Sequence, residues 1–218
     1  MELVSINIST IKTIEHNGKQ VSTGILKQPV TGSVFAGKYN LEGDRQADLK
    51  NHGGRNKAVY GFSQDHYPYW AAELNNPDLK PGAFGENLTI AGLDESQIHI
   101  GDQFRLGECL LEVSQPRVPC FKLGIALNNS DIPQLFTEQG ETGVYFRVVE
   151  EGLIKAGDKL ELVASEPSKI AVKSLFRAYF DKDYRQALEI LKTAVNLPQL
   201  AEEWREILPK RIAKLSQN

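Results

Sequence analysis

Residues 101–114 read GDQFRLGECLLEVS, in which two short apolar segments, 103–106 and 110–114, flank a glycine-containing turn. Short segments bounded by glycine are typical of β-strands. The pattern begins with Val4, Ile6 and Ile8 at period two and predicts further strands at 57–62, 86–90, 144–150 and 159–163. Short strands with a turn about every ten residues predict a mainly β fold, either barrel-like or a sandwich.

Helices are predicted within and after these strands. Residues 64–74 and a segment after Ser130 interrupt the strands, with the Ser130 hydroxyl as a candidate N-cap. Asn17-Gly18 predicts a hairpin turn, because both residues tolerate positive φ. From Ser168 onward the apolar residues follow helical periodicity, with breaks at 181–183 and 196–198. We therefore expect a β-rich domain at 1–165 and a three-helix C-terminal extension at 168–218.

Composition and charge limit the classes of function. The chain has 218 residues, 41% hydrophobic and 24% charged, enough apolar material for one sizeable core. Residues 1–168 carry 15 Lys and Arg against 22 Asp and Glu (net −7), and residues 169–218 carry 10 against 6 (net +4). The overall charge of −3 gives no field for nucleic acid. With two cysteines and no apolar leader or membrane-length segment, we expect a cytoplasmic protein without nucleic-acid or membrane partners.

The first group of candidate binding residues lies between positions 43 and 60. Glycine pairs allow backbone amides to approach a ligand, and neighbouring cations would make an anion or phosphate cradle. A solvated turn with a structural histidine is the alternative, and neither nucleotide-binding glycine fingerprint is present. The candidates are Arg45, His52, Gly53, Gly54, Arg55 and Lys57.

A second group is the glycine-rich turn at 81–88, which leads into a predicted strand. The Asn87 amide in this turn could recognise the edge of a heterocycle, or it could cap the turn itself. The sequence leaves both interpretations open.

The third group, QPRVPCFKL at 115–123, surrounds Cys120 with Arg117 and Lys122, and no acidic residue occurs between Glu112 and Asp131. Positive surroundings favour the thiolate, which attacks electrophiles and binds soft metals. A buried, inert cysteine is the alternative, and we interpret Cys109 in that way. Paired zinc-ligand spacing is absent, and a Cys-His hydrolase would need a histidine brought close by folding.

Taken in order, these groups resemble the MOSC (molybdenum cofactor sulfurase C-terminal) domain family, in its stand-alone bacterial YiiM-like branch. The matching segments are LEGDRQAD at 41–48, HGGRNKAVY at 52–60, PGAFGENL at 81–88, QPRVPCFKL at 115–123 and AGD at 156–158. The resemblance spans residues 1–165, and the helical tail resembles the three-helix extension of this branch.

The resemblance implies a β-barrel-like fold that binds a molybdopterin-type molybdenum cofactor, with Cys120 as catalytic residue and metal ligand. It implies reduction of N-hydroxylated compounds, such as hydroxylaminopurine base analogues, in a detoxifying role. We assign Arg45, Arg55, Lys57 and Arg117 to cofactor anions, and His52 and Asn87 to heterocycle recognition or proton supply; Gly53, Gly54 and Lys122 complete the predicted cofactor site. Pyridoxal phosphate belongs to a further domain of the fused sulfurases, for which this chain has no room.

The partners expected from this interpretation are a small N-hydroxylated substrate, a separate electron-donating reductase and, as a further possibility, a second copy in a homodimer. The chain has neither a flavin or nicotinamide fingerprint nor enough cysteines for an iron-sulfur cluster. Two alternatives stay open: a carrier that holds the cofactor or a Cys120 persulfide without turnover, and the Cys-His hydrolase.

Overall fold

The structure, a computed structural model, describes residues 1–217 apart from the side chains of Lys50 and Asn51, so Asn218 of the predicted extension lies outside it. The strands are β1 (Glu2–Ile8), β2 (Lys12–His16), β3 (Lys19–Thr23), β4 (Gln28–Val30), β5 (Ser33–Ala36), β6 (Val59–Ser63), β7 (Leu88–Ala91), β8 (Gln103–Leu106), β9 (Cys109–Pro116), β10 (Val144–Glu150), β11 (Gly152–Lys155) and β12 (Leu160–Ala164). The helices are α1 (Leu49–His52), α2 (Tyr67–Glu73), α3 (Phe121–Ala126), α4 (Ile132–Gln139), α5 (Val172–Phe180), α6 (Ala187–Ala194) and α7 (Glu202–Leu215), and Arg55–Lys57 and Gln64–His66 form 3-10 turns.

Eight strands form one mixed sheet in the order β12-β8-β9-β10-β6-β7-β1-β4. Its neighbouring strands are antiparallel except β6 and β7, which are parallel and are connected through α2. The mainly β fold is confirmed, but the predicted barrel is wrong in that the sheet is not closed: β12 and β4 end the strand order, and only an isolated bridge between Glu2 and Lys159 links β1 to the residue before β12 among the described residues. Strand β4 has only three residues with Pro29 at the centre, and a proline cannot donate a hydrogen bond to a further strand. Two-stranded sheets, β2-β3 and β5-β11, complete the β structure.

Local sequence patterns account for most elements. The six strands predicted between residues 57 and 163 overlap β6 to β10 and β12, and Asn17 and Gly18 form the β2-β3 turn with φ of 52° and 71°. The Ser130 cap is wrong, because Asp131 occupies the N-cap of α4 and the Ser130 hydroxyl contacts its carboxylate. Helix α3 was not predicted.

The hydrophobic core has two parts. The larger cluster covers one side of the sheet and includes Phe104 and Phe146. A smaller, aromatic cluster lies around Phe62 and joins α2 to α4, where the Trp70 and Phe136 rings stack with centroids 4.4 Å apart. The aromatic cluster includes Tyr60, so it supports the strand that leads from the first candidate group into the sheet.

The three C-terminal helices pack into the larger cluster. Leu175 of α5, Leu191 of α6 and Trp204 of α7 are buried in it together with the sheet residues. The Ala201 amide donates to the Ser114 carbonyl at 3.0 Å, which ties the start of α7 to β9. The helices therefore share a core with the sheet, and the division at residues 165–168 stays a prediction. Among residues 1–217, no helix combines the length and apolar character needed to cross a bilayer.

A charged cluster connects α5 to the rest of the molecule. His66 contacts Glu95 through Nε2 at 3.1 Å and Glu141 through Nδ1 at 3.2 Å, and Lys173 of α5 bonds the second Glu141 oxygen at 2.6 Å. Burial alone would lower the pKa of His66, but the hydrogen bond and charge of Glu95 and the charges of Glu141 and Asp65 raise it above its ordinary value. The protonated histidine therefore stabilises this junction.

Replacing His66 by Gln removes the titrating charge at this junction. A raised pKa means that its stabilising contribution is fully present below the ordinary pKa of 6.5 and is lost as the pH rises through the higher folded-state pKa. We expect the difference in free energy of unfolding between wild type and H66Q, from urea curves, to be larger at pH 6 than at pH 9. A pH-independent difference, or an equal effect of the control His16→Gln, would contradict this.

Candidate active site

The three sequence groups meet at one cavity. Its walls come from the segment after β3, the loop before α1, strand β6, the turn before β7 and the segment between β9 and α3. Strand β6 lies between β7 and β10, and β10 pairs with β9. This strand order brings together segments that are far apart in the chain.

The structure places most of the predicted side chains in this cavity, but not all of them. The lining includes Arg45, His52, Lys57, Asn87, Arg117, Cys120 and Lys122. Gly53, Gly54 and Arg55 lie outside the lining. Gly53 packs against Leu49, where a Cβ atom would lie 2.9 Å from a side-chain carbon, and Gly54 has a φ of 90°. The glycines therefore shape the turn between His52 and Lys57, while Arg55 is exposed.

Cys120 lies directly before α3 and is partly exposed. Burial alone would raise the pKa of its thiol, but a hydrogen bond from His52, the charges of Arg117 and His52, and the backbone amide of Lys122 outweigh burial and lower the pKa to about 7. A large thiolate fraction is therefore present at neutral pH, and the thiolate is both a nucleophile and a soft metal ligand.

His52 reaches Cys120 from α1. Its Nδ1 atom lies 3.5 Å from Asp48 Oδ2, one helical turn earlier, but is buried and makes no hydrogen bond. An imidazole between a thiol and a carboxylate can hold or transfer a proton. The pair of Cys120 and His52 is the contact that the hydrolase hypothesis required of the fold.

Arg117 is a buried charge of the cavity. Its residue is 5% exposed, and its guanidinium carbon lies 5.1 Å from the Tyr60 ring centroid and 5.7 Å from that of Phe136. No acidic residue among those that the structure describes forms a salt bridge with it, and its Nη1 atom is buried without a hydrogen-bond partner. A buried charge without a counterion is unfavourable. An anionic ligand in the cavity would supply the missing negative charge.

Tyr145 of β10 also lines the cavity, although sequence analysis treated it only as part of a strand. Burial raises the pKa of its hydroxyl to about 12, while Arg117, which bonds to it, opposes the shift. The hydroxyl is therefore protonated at neutral pH. The alternation of side chains along β10 predicts that Tyr145 points away from the larger core. The sequence does not indicate that its side chain lines a cavity.

A buried ion pair supports the opposite wall. Lys27 Nζ bonds both oxygens of Asp44, at 2.6 and 2.7 Å, and Asp44 also accepts from the Ser9 amide at 2.8 Å. Burial lowers the pKa of Lys27, and Asp44 opposes this shift. Asp44 belongs to the matching segment at 41–48, so this motif residue has a structural partner that sequence analysis missed.

The turn at 81–88 is held from within by Glu86. Its carboxylate accepts hydrogen bonds from the Gly82 amide at 2.7 Å, the Phe84 amide at 3.1 Å, the Thr89 hydroxyl at 2.8 Å and the Tyr67 hydroxyl. Burial raises the pKa of Glu86, while the hydrogen bonds from Tyr67, Gly82 and Thr89 oppose the shift. Four donors around one carboxylate fix the backbone of the turn.

Asn87 is also engaged by protein atoms. Its Oδ1 accepts from the Tyr60 amide at 3.1 Å, and its Nδ2 donates to Asp44 at 3.0 Å and to the Asn7 carbonyl at 3.3 Å. Both amide hydrogens are used, so one oxygen lone pair is left for a ligand. Of the two interpretations of this residue, the geometry favours a structural role.

The remaining cations lie nearer the surface. Lys122 Nζ bonds the Ser22 carbonyl at 3.2 Å, and the Arg45 side chain is exposed. The Arg45 backbone is fixed because Gly24 packs against it: a Cβ on Gly24 would lie 2.0 Å from the Arg45 carbonyl oxygen. Lys57 is paired with Glu203 of α7, a contact that sequence analysis did not predict.

The second cysteine has a different environment. Cys109 is fully buried at the start of β9, and burial raises its pKa to about 12. The interpretation of Cys109 as a core residue is confirmed. The two thiols therefore differ strongly in reactivity.

Comparison with known proteins identifies related chains. Residues 48–161 match the model of the MOSC domain. The chain is 42% identical to YflK of Bacillus subtilis (strain 168) over 215 residues, covering 98% of this chain and 95% of that protein. It is 35% identical to a protein of Gibberella moniliformis (strain M3125 / FGSC 7600) named "Reductase", covering 83% of this chain but 32% of that protein. The crystal structure of YiiM from Geobacillus stearothermophilus superposes with a TM-score of 0.81 at 34% identity, covering 97% of this chain and 98% of that one.

Alkylation by iodoacetamide tests the environment of Cys120. We expect the rate at Cys120 to rise with a midpoint near pH 7, because the thiolate reacts and its pKa is about 7. His52→Gln and Arg117→Met remove the groups that stabilise the thiolate, so the midpoint should rise by about one pH unit in each. Peptide mapping should find Cys109 unmodified until urea unfolds the protein. A wild-type midpoint near 9 would contradict the proposed environment.

The Lys27–Asp44 pair can be tested by urea unfolding at pH 7. Asp44→Asn leaves the buried ammonium without a counterion and should cost about 3–5 kcal/mol. The double variant Lys27→Met/Asp44→Asn should cost less than the sum of the single variants, since neither charge remains. Lys159→Met, which breaks an exposed pair with Glu2, is the control and should change stability little. Additive losses would contradict a coupled pair.

Proposed function

Because this chain belongs to the MOSC domain family, in its YiiM-like branch, we propose that it is a molybdenum-cofactor-dependent reductase of N-hydroxylated compounds, such as hydroxylaminopurine base analogues. MOSC domains are associated with molybdenum cofactor binding. The observation that carries the proposal is the juxtaposition of a Cys120 thiol of lowered pKa and the buried, unpaired Arg117 in one cavity.

The residues of the cavity fit such a cofactor. Molybdenum is bound by soft sulfur ligands, and Cys120 is the sulfur donor among the described residues that line the cavity. The phosphate of a molybdopterin needs a cation, and Arg117 is a buried cation without an acidic partner among the described residues. We propose that Cys120 binds the metal and that Arg117, together with Lys57, Arg45 and Lys122, binds the anionic part.

The overall reaction adds two electrons and two protons to an N-hydroxyl group, breaks its N–O bond and releases an amine and water. When bound, the cofactor would supply the two-electron chemistry that this cleavage requires. His52, which forms a hydrogen bond with Cys120, is the candidate to deliver a proton to the departing oxygen. The protonated Tyr145 hydroxyl offers a hydrogen bond to orient the substrate.

Electrons must come from outside this chain in the proposed reaction. The Gibberella relative named "Reductase" is about three times as long as the region that it shares with this chain. We propose that a separate reductase supplies the electrons to this chain.

A carrier function is the second candidate, because Cys120 is partly exposed and so could pass a bound group to another protein. The carrier and the reductase require the same cavity. They differ in turnover when electrons are supplied.

The test is expression in a host that makes the cofactor, followed by metal analysis and reduction of a hydroxylaminopurine with a chemical reductant. We expect wild type to contain molybdenum and turn over, and Cys120→Ser and Arg117→Met to lose about tenfold or more of both. Cys109→Ala is the matched control and should retain both. Stoichiometric metal without turnover would favour the carrier, and full metal and turnover in Cys120→Ser would contradict the ligand assignment.

A further inference from the structure

One cation of the cavity is paired with a residue of the C-terminal helices. Lys57 Nζ lies 2.7 and 2.8 Å from the two carboxylate oxygens of Glu203, in the first turn of α7. The Lys57 side chain is 11% exposed, whereas the Glu203 side chain is 47% exposed. Lys57 therefore lines the cavity and is paired, on the side toward solvent, with a carboxylate 146 positions later in the chain.

The position of Glu203 is fixed by contacts to the sheet. Besides the bond from Ala201 to Ser114, Arg147 of β10 donates to the Gln199 carbonyl at 2.9 Å, three residues before α7 begins. The start of α7 is therefore anchored to both β9 and β10. These hydrogen bonds fix the segment directly before α7 and therefore the first turn of the helix, in which Glu203 lies.

The position of Lys57 is fixed by the same two strands. Its neighbour Asn56 accepts from Arg147 Nε and Nη2 at 3.1 and 2.8 Å, and the Ser114 hydroxyl donates to the Asn56 carbonyl at 2.6 Å. Both members of the Lys57–Glu203 pair are thus attached to one rigid support. Neither needs to be ordered by a ligand, so the pair is present before any ligand arrives.

The charge of Glu203 extends into the cavity. It is one of the charges that raise the pKa of Tyr145 on the cavity wall, where Arg117 acts in the opposite direction. A fixed negative charge repels an anion in proportion to the charge of that anion. Glu203 consequently opposes a highly charged ligand more than a ligand with a single phosphate.

We propose that Glu203 is a specificity-determining residue of the cavity, a built-in counterion of Lys57 that discriminates against anions of high charge. This inference requires one part of the proposed function, namely that the cavity binds an anion. It does not require the proposed reaction. The C-terminal helices thus contribute to ligand selection, because α7 supplies the carboxylate that limits the positive potential of the cavity.

The experiment measures anion binding without cofactor, on the full chain at pH 8 and constant ionic strength. Inorganic phosphate and pyrophosphate are titrated while the alkylation rate of Cys120, relative to the rate without anion, and the unfolding temperature are followed. In Glu203→Gln we expect the phosphate dissociation constant to fall about threefold and that of pyrophosphate about tenfold. The unfolding temperature reports binding even if the anion does not shield Cys120.

Glu206→Gln is the matched control, since it removes one exposed carboxylate from the same helix and changes the net charge equally. The phosphate and pyrophosphate dissociation constants of Glu206→Gln should remain close to those of wild type. Combining Glu203→Gln with Lys57→Met should reduce the gain in anion affinity, because the ammonium group that Glu203 neutralises is then absent.

Each other outcome has a distinct meaning. Equal constants in Glu203→Gln and wild type, or weaker binding in the variant, would overturn the role of Glu203 while the anion cavity stands. Equal gains for phosphate and pyrophosphate would overturn the discrimination by charge. If neither anion affects wild type or variant, both this inference and the anion site of the proposed function are overturned. Loss of anion binding in Arg117→Met tests the anion site separately.

Discussion

The buried guanidinium of Arg117 is the interaction on which the candidate site depends. It lies over the rings of Tyr60 and Phe136, so the aromatic cluster between α2 and α4 holds it in place. From there its charge lowers the pKa of Cys120 and opposes the rise of the pKa of Tyr145. Packing on one side of the cavity thus sets the protonation of groups on the other side. The aromatic core has an electrostatic consequence in addition to its contribution to stability.

Local chemistry made part of the site predictable. Proline, cysteine and two cations within 115–123 indicated a thiolate, and the thiol has a lowered pKa in the structure. Most strands were predictable because apolar alternation and glycine turns are local signals. The hairpin at Asn17-Gly18 follows from backbone preferences of two residues.

Contacts between distant segments could not be predicted from one sequence. The pairing of Lys57 with Glu203 depends on how α7 packs against β9, and that of Lys27 with Asp44 on how two loops meet. The contacts of Asn87 were also not predictable. Its motif suggested a ligand contact, but strand pairing directs its side-chain amide to protein atoms. The open sheet was missed because strand count and spacing are the same for open and closed arrangements.

The strands at the two ends of the sheet have outer backbone groups that could pair with another molecule, although the Leu160 amide of β12 already donates to the Met1 carbonyl at 3.1 Å. On the β4 side, Pro29 removes a donor at the centre of a strand of three residues. On the β12 side, Leu162 and Val163 are exposed, but the strand carries Glu161 and its register shifts between Leu162 and Ala164. A bulge and a charge discourage edge-to-edge association. The two borders are thus protected against aggregation by different means, and the β12 border, with its apolar surface, is the more vulnerable one in crowded solution.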